Sequence, residues 1–358
     1  MDLMPVTKVF RTTGQPNIRD IARAAGVSVS TVSRVLNHHP DTSAETREKV
    51  MRAMKALRYR PNGRARQLAR NTSETIGLML NNREIINSFH AHILMGVEKY
   101  ARSVARNLVF MKFDYTGDVP PEELALPSVI WERGSLDGLI VTGTNYLNFV
   151  QAIKELEIPC VVFGNNLIGA SPRHGVHAVA YDSEAGAREA TKYLIELRHR
   201  KVWFVGDTTL PWYSRCYQGY QSVMRRRGLV PLAVEEGKPY TSSFDYGVAC
   251  AHQLIEQGLP LSALIAGDDE IALGLLSAFS QRGVRVPDDV SVVGFDDLEE
   301  LRFFRPALTT VRVPKQRLGQ EMAHFLYELL DKPNLPPTTR MVPTELLVRE
   351  SSAEFRKR

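Results

Sequence analysis

The sequence has no run of ~18 apolar residues, so no segment is suited to cross a membrane as a helix. Cysteine is scarce: Cys160, Cys216 and Cys250 are odd in number and far apart. They offer neither a disulfide framework nor a metal-binding spacing, and they suit a reducing compartment. The glycine signatures that cradle phosphates or dinucleotides are missing, as is the Gly-x-Ser-x-Gly turn of a hydrolase nucleophile. His90 and His92 have no Cys or His set beside them and read as surface or core histidines. No enzyme, metal or cofactor is therefore expected. Residues 1–17 mix Lys8, Arg11, Pro5 and Pro16 without an apolar core, which argues against a secretory signal and for the cytoplasm. Beyond Glu350 too little chain follows for the several heptads of a tetramerising coiled coil, so a dimer is expected.

What is present is ordinary in amount and uneven in placement. The 358 residues, 44% hydrophobic and 24% charged, suit a globular chain of two or three compact units. Residues 1–75 carry 14 Lys and Arg against 6 Asp and Glu, a net of +8, while the remainder nets −3. A basic end on a slightly acidic body is the electrostatic footprint of a nucleic-acid-binding head.

Within that head, Ile18, Ile21, Ala22 and Ala25 recur at helical spacing, and Gly26 breaks the run. Ser28 is placed to cap a second helix whose apolar stripe is Val29, Val32, Val35 and Leu36. Two short helices across a glycine turn make a helix-turn-helix. Ser30, Thr31, Ser33 and Arg34 lie off the stripe and suit phosphate oxygens and base edges. A third helix is predicted from Thr42-Ser43-Ala44-Glu45, a capping-box pattern, with Val50, Met54 and Leu57 inward. Such a bundle can be purely structural. The next segment points to DNA: Pro61 can open a helix, and Arg64, Arg66 and Arg70 follow with one large apolar side chain, Leu68. So short a helix, weakened by Gly63, cannot hold itself. It suits folding on DNA with Leu68 as a minor-groove wedge, the alternative being a plain linker.

Together, Ile18-Arg19-Asp20-Ile21-Ala22, the run from Gly26-Val27-Ser28 through Arg34-Val35-Leu36-Asn37, Tyr59-Arg60-Pro61-Asn62 and Leu68-Ala69 resemble the head and hinge of the lactose/galactose repressor (LacI/GalR) family. The resemblance implies a sequence-specific repressor that binds palindromic double-stranded operator DNA as a homodimer, at the nucleoid. It implies that Val29, Ser30 and Arg34 face major-groove bases. Ser28, Thr31, Ser33, Asn37 and Thr46 match positions at or near phosphates, and Asn62, Ala65, Arg66 and Leu68 match the hinge. Gly63 departs from the larger residue usual there, which implies a hinge more dependent on DNA for its order.

From Thr75 onward, short apolar runs at 76–80, 108–113, 138–141, 160–163, 178–181, 202–205, 263–266 and 290–294 alternate with amphipathic segments such as 91–103, 184–197, 217–227 and 271–281. That alternation predicts parallel α/β units, too many for one small sheet, and a ligand cleft beyond the strands' carboxyl ends. The resemblance continues through Asp182-Ser183-Glu184-Ala185-Gly186, Gly267-Asp268-Asp269-Glu270, Val286-Pro287-Asp288-Asp289, Gly294-Phe295-Asp296-Asp297 and Pro306-Ala307-Leu308-Thr309-Thr310. It implies an all-α helix-turn-helix head on a two-lobed body like a periplasmic binding protein, with two parallel doubly wound sheets. The expected divisions are a tail over 1–16, the DNA-binding domain over 17–60, a hinge over 61–74, an effector-binding and dimerisation body over 75–352 and a tail over 353–358. Within the body, one lobe is placed at about 75–175 and 314–342, the other at about 176–313 and 343–352.

Asp268 and Asp296 follow predicted strands, where carboxylates can accept hydrogen bonds from paired hydroxyls, as sugars require. The resemblance makes Asp296 the principal ligand contact, Phe89 a stacking aromatic and Asn165 a pocket position. Asp269 and Asp297 read as caps of the next helices. Trp212 and Tyr213 are placed in a loop, either to stack on a ligand or to pack. The family's arginine three residues before Gly219-Tyr220 is Cys216 here, with Arg215 one step earlier. Either Arg215 is rethreaded into the cleft or the guanidinium clamp is missing, which leaves a neutral or cationic effector as open as a sugar or an anion. The leading reading is a regulator whose operator affinity is set by a carbohydrate-related molecule; the alternative is a sugar-binding protein without a regulatory role.

Overall fold

A computed structural model describes residues 16–36, 39–59, 72–83, 88–169, 175–234, 240 and 242–356. The chain divides into two compact units, Met1–Asn71 and Thr72–Arg358.

In the first unit, α1 (Ile18–Ala25) opens with Asn17 as a full capping box. Its side chain accepts from the Arg19 and Asp20 amides, and the Asp20 carboxylate accepts from the Asn17 amide. The helix stops at Gly26, whose φ of 66° is left-handed and costs a glycine little. In the turn into α2 (Val29–Leu36), Ser28 Oγ accepts from the Thr31 amide at 3.0 Å. Helix α3 (Ala44–Ala56) is capped by Ser43, which accepts from Thr46 N at 3.2 Å. The expected capping box is absent there, because with Ser43 as the cap Glu45 lies one residue short of the reciprocal position and pairs with Lys49. Ile21, Val32, Val35 and Val50 close the core. Each such buried aliphatic contributes roughly 1.5–3 kcal/mol against the entropy of ordering the chain. Val29 leaves the predicted stripe and is 41% exposed.

The second unit holds two six-stranded sheets. The first contains β1 (Thr75–Asn81), β2 (Asn107–Phe113), β3 (Gly138–Gly143), β5 (Cys160–Phe163), β7 (Ala178–Tyr181) and β13 (Thr339–Val342) in the order β13-β7-β5-β3-β1-β2, all parallel. A two-stranded ribbon, β4 (Asn145–Tyr146) with β6 (Leu167–Ile168), stands beside it. The second sheet contains β8 (Val202–Val205), β9 (Leu232–Val234), β10 (Ala263–Ala266), β11 (Ser291–Asp296), β12 (Thr309–Arg312) and β14 (Glu345–Leu347) in the order β14-β12-β11-β10-β8-β9. Its edge strand β14 runs antiparallel to β12, an exception to the expected all-parallel sheets. The body's helices are α4 (Ser88–Ser103), α5 (Ser128–Trp131), α6 (Leu147–Glu155), α7 (Ser183–Glu196), α8 (Pro211–Arg226), α9 (Ser243–Glu256), α10 (Asp269–Gln281) and α11 (Lys315–Asp331). Close packing of α4 on α11 requires glycine: a Cβ on Gly96 would lie 2.0 Å from the Gln316 carbonyl oxygen.

The boundary placed at 175/176 is corrected. Strand β7 pairs with β5 and β13 and so completes the first sheet; the chain crosses to the second at Asp182, where the side chain caps α7. It returns between β12 and α11 and crosses again between Val342 and Glu345. A buried apolar strand has the same pattern in either sheet, so periodicity could not assign it.

Candidate functional site

Helix α2 turns Val32 and Val35 inward, which leaves Val29, Ser30 and Arg34 exposed on its other side. Ser28 Oγ lies 2.7 Å from Ser30 Oγ and 2.8 Å from Thr31 Oγ1, a cluster of hydroxyls at the helix start. There, oriented N–H groups and short polar side chains suit phosphate oxygens. Ser33 and Thr46 are half-buried, and Thr46 is tied to Ser43 Oγ at 2.9 Å. Asn37, Asn62, Ala65, Arg66 and Leu68 lie outside the described residues, and so does Gly63.

In the body, one cavity gathers Phe89, Trp212, Asp268 and Asp296, four of the six residues singled out for the effector. Arg83, His90, Tyr181, Tyr213, Ser243 and Glu270 join them. Tyr181 and Asp296 end strands, and Asp268 follows one. Phe89, Trp212, Ser243 and Glu270 lie in the first turns of α4, α8, α9 and α10. Ends of parallel strands and starts of helices thus converge, as open α/β folds arrange their ligand sites.

Asn165 and Arg215 are corrected: neither lines this cavity. Asn165 is buried with its amide spent on β7, donating to the Tyr181 carbonyl at 3.0 Å and accepting from the Tyr181 amide at 2.8 Å. Arg215 donates to the Asn165 carbonyl and borders a second cavity with Asp182 and Glu184. The cause is helix phase. Trp212 and Tyr213 are not in a loop but open α8 behind Pro211, and Arg215 lies ~200° around the helix from Tyr213. Cys216 is buried, its thiol pushed far up by burial and by the Asp296 carboxylate. The guanidinium that does line the cavity is Arg83, from the end of β1. Its carbon lies 5.4 Å from the Trp212 ring centroid, and its Nε donates to Thr144 Oγ1 at 3.0 Å. No motif marked it.

The cavity is lined by three carboxyl groups, Asp268, Glu270 and Asp296. Asp268 caps α10, accepting from Ile271 N at 2.7 Å, and also accepts from the Tyr213 hydroxyl. Burial raises its pKa against those hydrogen bonds. Asp269, expected as a cap, instead accepts from Leu298 N at 2.8 Å and Thr310 Oγ1 at 2.7 Å; burial lifts it to about 7. Gly294 makes room for it, since a Cβ there would lie 2.1 Å from Asp269 Oδ1. Asp297, the other expected cap, is held by Arg312 at 2.9 Å and Arg349 at 2.5 Å, which lower its pKa against its burial. Asp296 is raised well above a normal carboxylate by burial first, with Lys315 opposing and Asp269, Asp268 and Glu270 adding to it. Among the described residues no donor is bonded to its carboxylate. Its backbone holds φ 115°, followed by 56° at Asp297. Such strained conformations cost about 1–3 kcal/mol each and persist where the surroundings fix them. Here Lys315 Nζ does so, donating to both carbonyls at 2.5 and 3.0 Å. His90, read as a surface or core residue, is buried against the cavity with Nδ1 unpaired, and burial lowers its pKa to about 3. The Asp296 carboxylate thus lines the space without a protein donor among the described residues, and the buried His90 Nδ1 has no partner.

Comparison with known proteins agrees with both halves. The profile of bacterial regulatory proteins of the lacI family matches residues 17–62, and that of the periplasmic binding protein-like domain matches residues 191–352. The HTH-type transcriptional repressor PurR of Vibrio cholerae serotype O1 is 31% identical over 345 residues, 95% of this chain and 99% of that protein. Catabolite control protein A of Priestia megaterium is 30% identical over 341 residues, 94% of this chain and 98% of that protein. The crystal structure of the lac repressor dimer bound to operator and the anti-inducer ONPF superposes with a TM-score of 0.80 at 26% identity, covering 95% of this chain and 100% of that one. A complex of the transcriptional regulator CelR with cellobiose gives a TM-score of 0.67 at 28% identity, covering 94% and 100%. On a capped helix-turn-helix unit, a two-sheet body and relatives matched over nearly their whole length, the chain belongs to the LacI family of bacterial regulatory proteins.

Proposed function

We propose that the chain is a transcriptional repressor that binds a palindromic operator as a homodimer, through α2 and the segment after α3, and whose grip is set by a small carbohydrate-related effector in the cleft at Asp296. The observation that carries this reading is the presence of an exposed Val29, Ser30 and Arg34 face on one unit and, on the other, a cavity lined by Asp268, Glu270 and Asp296. An effector that favours one arrangement of the lobes shifts operator affinity by its coupling free energy. Two-fold symmetry of the dimer matches palindromic half-sites. The relatives support regulation over catalysis: PurR is a transcriptional repressor, and the lac repressor was solved as a dimer on its operator. Among the described residues no helix is long and apolar enough to cross a membrane, and the proposed site of action is DNA in the cytoplasm. The test is selection of bound sequences from random duplex DNA, followed by gel-shift titration with and without candidate effectors. Enrichment of one palindrome whose affinity responds to a bound small molecule is the expected result. A response-free protein that still binds the sugar would favour the non-regulatory reading.

A further inference from the structure

The proposed effector site has a cation of the protein's own on its wall. The Arg83 guanidinium lies in the cavity over the face of Trp212, 5.4 Å from its centroid. Its charge acts on Asp268, Glu270 and His90. The space left among these groups is about 70 Å³, far below the roughly 300–1,000 Å³ of a ligand pocket. The free space beside this cation is therefore small.

The charges divide into those already answered and those that are not. Asp268 accepts from the α10 amide end and from Tyr213, and Glu270 stands in the first turn of the same helix, where the N-terminal field favours a carboxylate. The Lys315 ammonium is committed to the carbonyls of Asp296 and Asp297. Among the described residues no donor is bonded to the half-exposed Asp296 carboxylate, and the buried His90 Nδ1 has no partner. An acidic, acceptor-rich space beside an aromatic face is built for a positive charge. Cations are drawn to indole faces, and hydrogen bonds to an ionised partner are about twice as strong as neutral ones. Cys216 on α8 is buried and outside the lining.

We infer that the cleft selects a monosaccharide-sized effector bearing an ammonium group, and that Arg83 holds that group's place when the site is empty. The inference rests on the effector role proposed for this cleft. It gives Arg83 an unusual sign: the residue competes with the ligand, so its removal strengthens binding.

The test is calorimetric titration of the full chain at pH 7 with glucosamine, galactosamine and mannosamine, each against its N-acetyl derivative, and with glucuronate. At least one free amine is expected to bind ten-fold or more tightly than its N-acetyl form. Arg83→Ala should tighten that binding several-fold, and Asp296→Asn should weaken it ten-fold or more. Tighter binding of glucuronate or of an N-acetyl sugar, loss of binding in Arg83→Ala, or the failure of all three amines to bind overturns the inference. Gel-shift titration with each binder separates the two claims. A neutral or anionic sugar that alters operator affinity sinks the ammonium preference and leaves the regulator standing, whereas an amine that binds without altering it does the reverse.

Discussion

The two candidate sites are built in opposite ways. The candidate DNA-facing surface comes from one helix and its cap, eight residues of α2 and Ser28 before it, standing on a core of six buried aliphatic side chains. The cleft takes its groups from the ends of β1, β7 and β11, the residue after β10, and the first turns of α4, α8, α9 and α10. A contiguous site is specified by local rules and is exposed. A dispersed site is specified only once two sheets have formed, and its groups are buried or half-buried and electrostatically coupled. The first should therefore tolerate changes in the second, and the reverse.

That independence can be broken or sharpened. The largest effect is expected for Asp296→Ala, which should weaken the effector response by 10- to 100-fold, in line with about 1.5–3 kcal/mol for a hydrogen bond to a charged group, and leave effector-free operator binding unchanged in a gel shift. Arg34→Ala should weaken operator binding by roughly ten-fold or more, following ~1–3 kcal/mol for a base-reading arginine. Effector affinity measured by calorimetry should stay the same, and a matching loss there would end the claim of separate sites. Val32→Ala should destabilise the first unit by about 1–3 kcal/mol, lowering its own calorimetric transition while that of the body stays in place. The smallest effect is a pH slope. Asp269 is raised to about 7 in the folded state from an ordinary 3.8. Its stabilising contribution is present below the lower value and is lost as pH rises through the higher one. The melting temperature of the body should therefore fall between about pH 4 and pH 7 relative to Asp269→Asn. His90, lowered to about 3 by burial, contributes in the opposite direction in both proteins and cancels in the difference.

Legibility followed the same division. Ser28, Gly26 and the inward Val32 and Val35 could be read from spacing because caps, turns and stripes act over a few residues. Even there Val29 was misplaced: it has the chemistry of a core residue, and only the helix phase turns it outward. In the body, the strand-end carboxylates Asp268 and Asp296 were recognisable because strand ends in parallel sheets open on clefts. Arg83 carried no signal because nothing around it has a period, and His90, expected at the surface or in the core, is buried beside it. Their role exists only where the end of β1 and the first turn of α4 meet groups from the other sheet. Asn165 and Arg215 stand outside that cavity for a different reason: each has a backbone partner, Tyr181 and Asn165 respectively. Sequence names a side chain's capacity to bond but not which bond is made first.

The route of the chain between the sheets also bears on how the protein is made. Strand β7 is complete at Tyr181, yet its outer neighbour β13 begins only at Thr339. At a translation rate of about 5–20 residues per second, the nascent first sheet waits roughly 8–30 s with an open, apolar edge. The second sheet lacks its closing strand β14 until a few residues later still. Both lobes are therefore completed almost together, by Leu347. Until then an unpaired parallel edge is available to the wrong partner, so premature termination before Thr339 should leave two defective sheets rather than one good lobe and one bad.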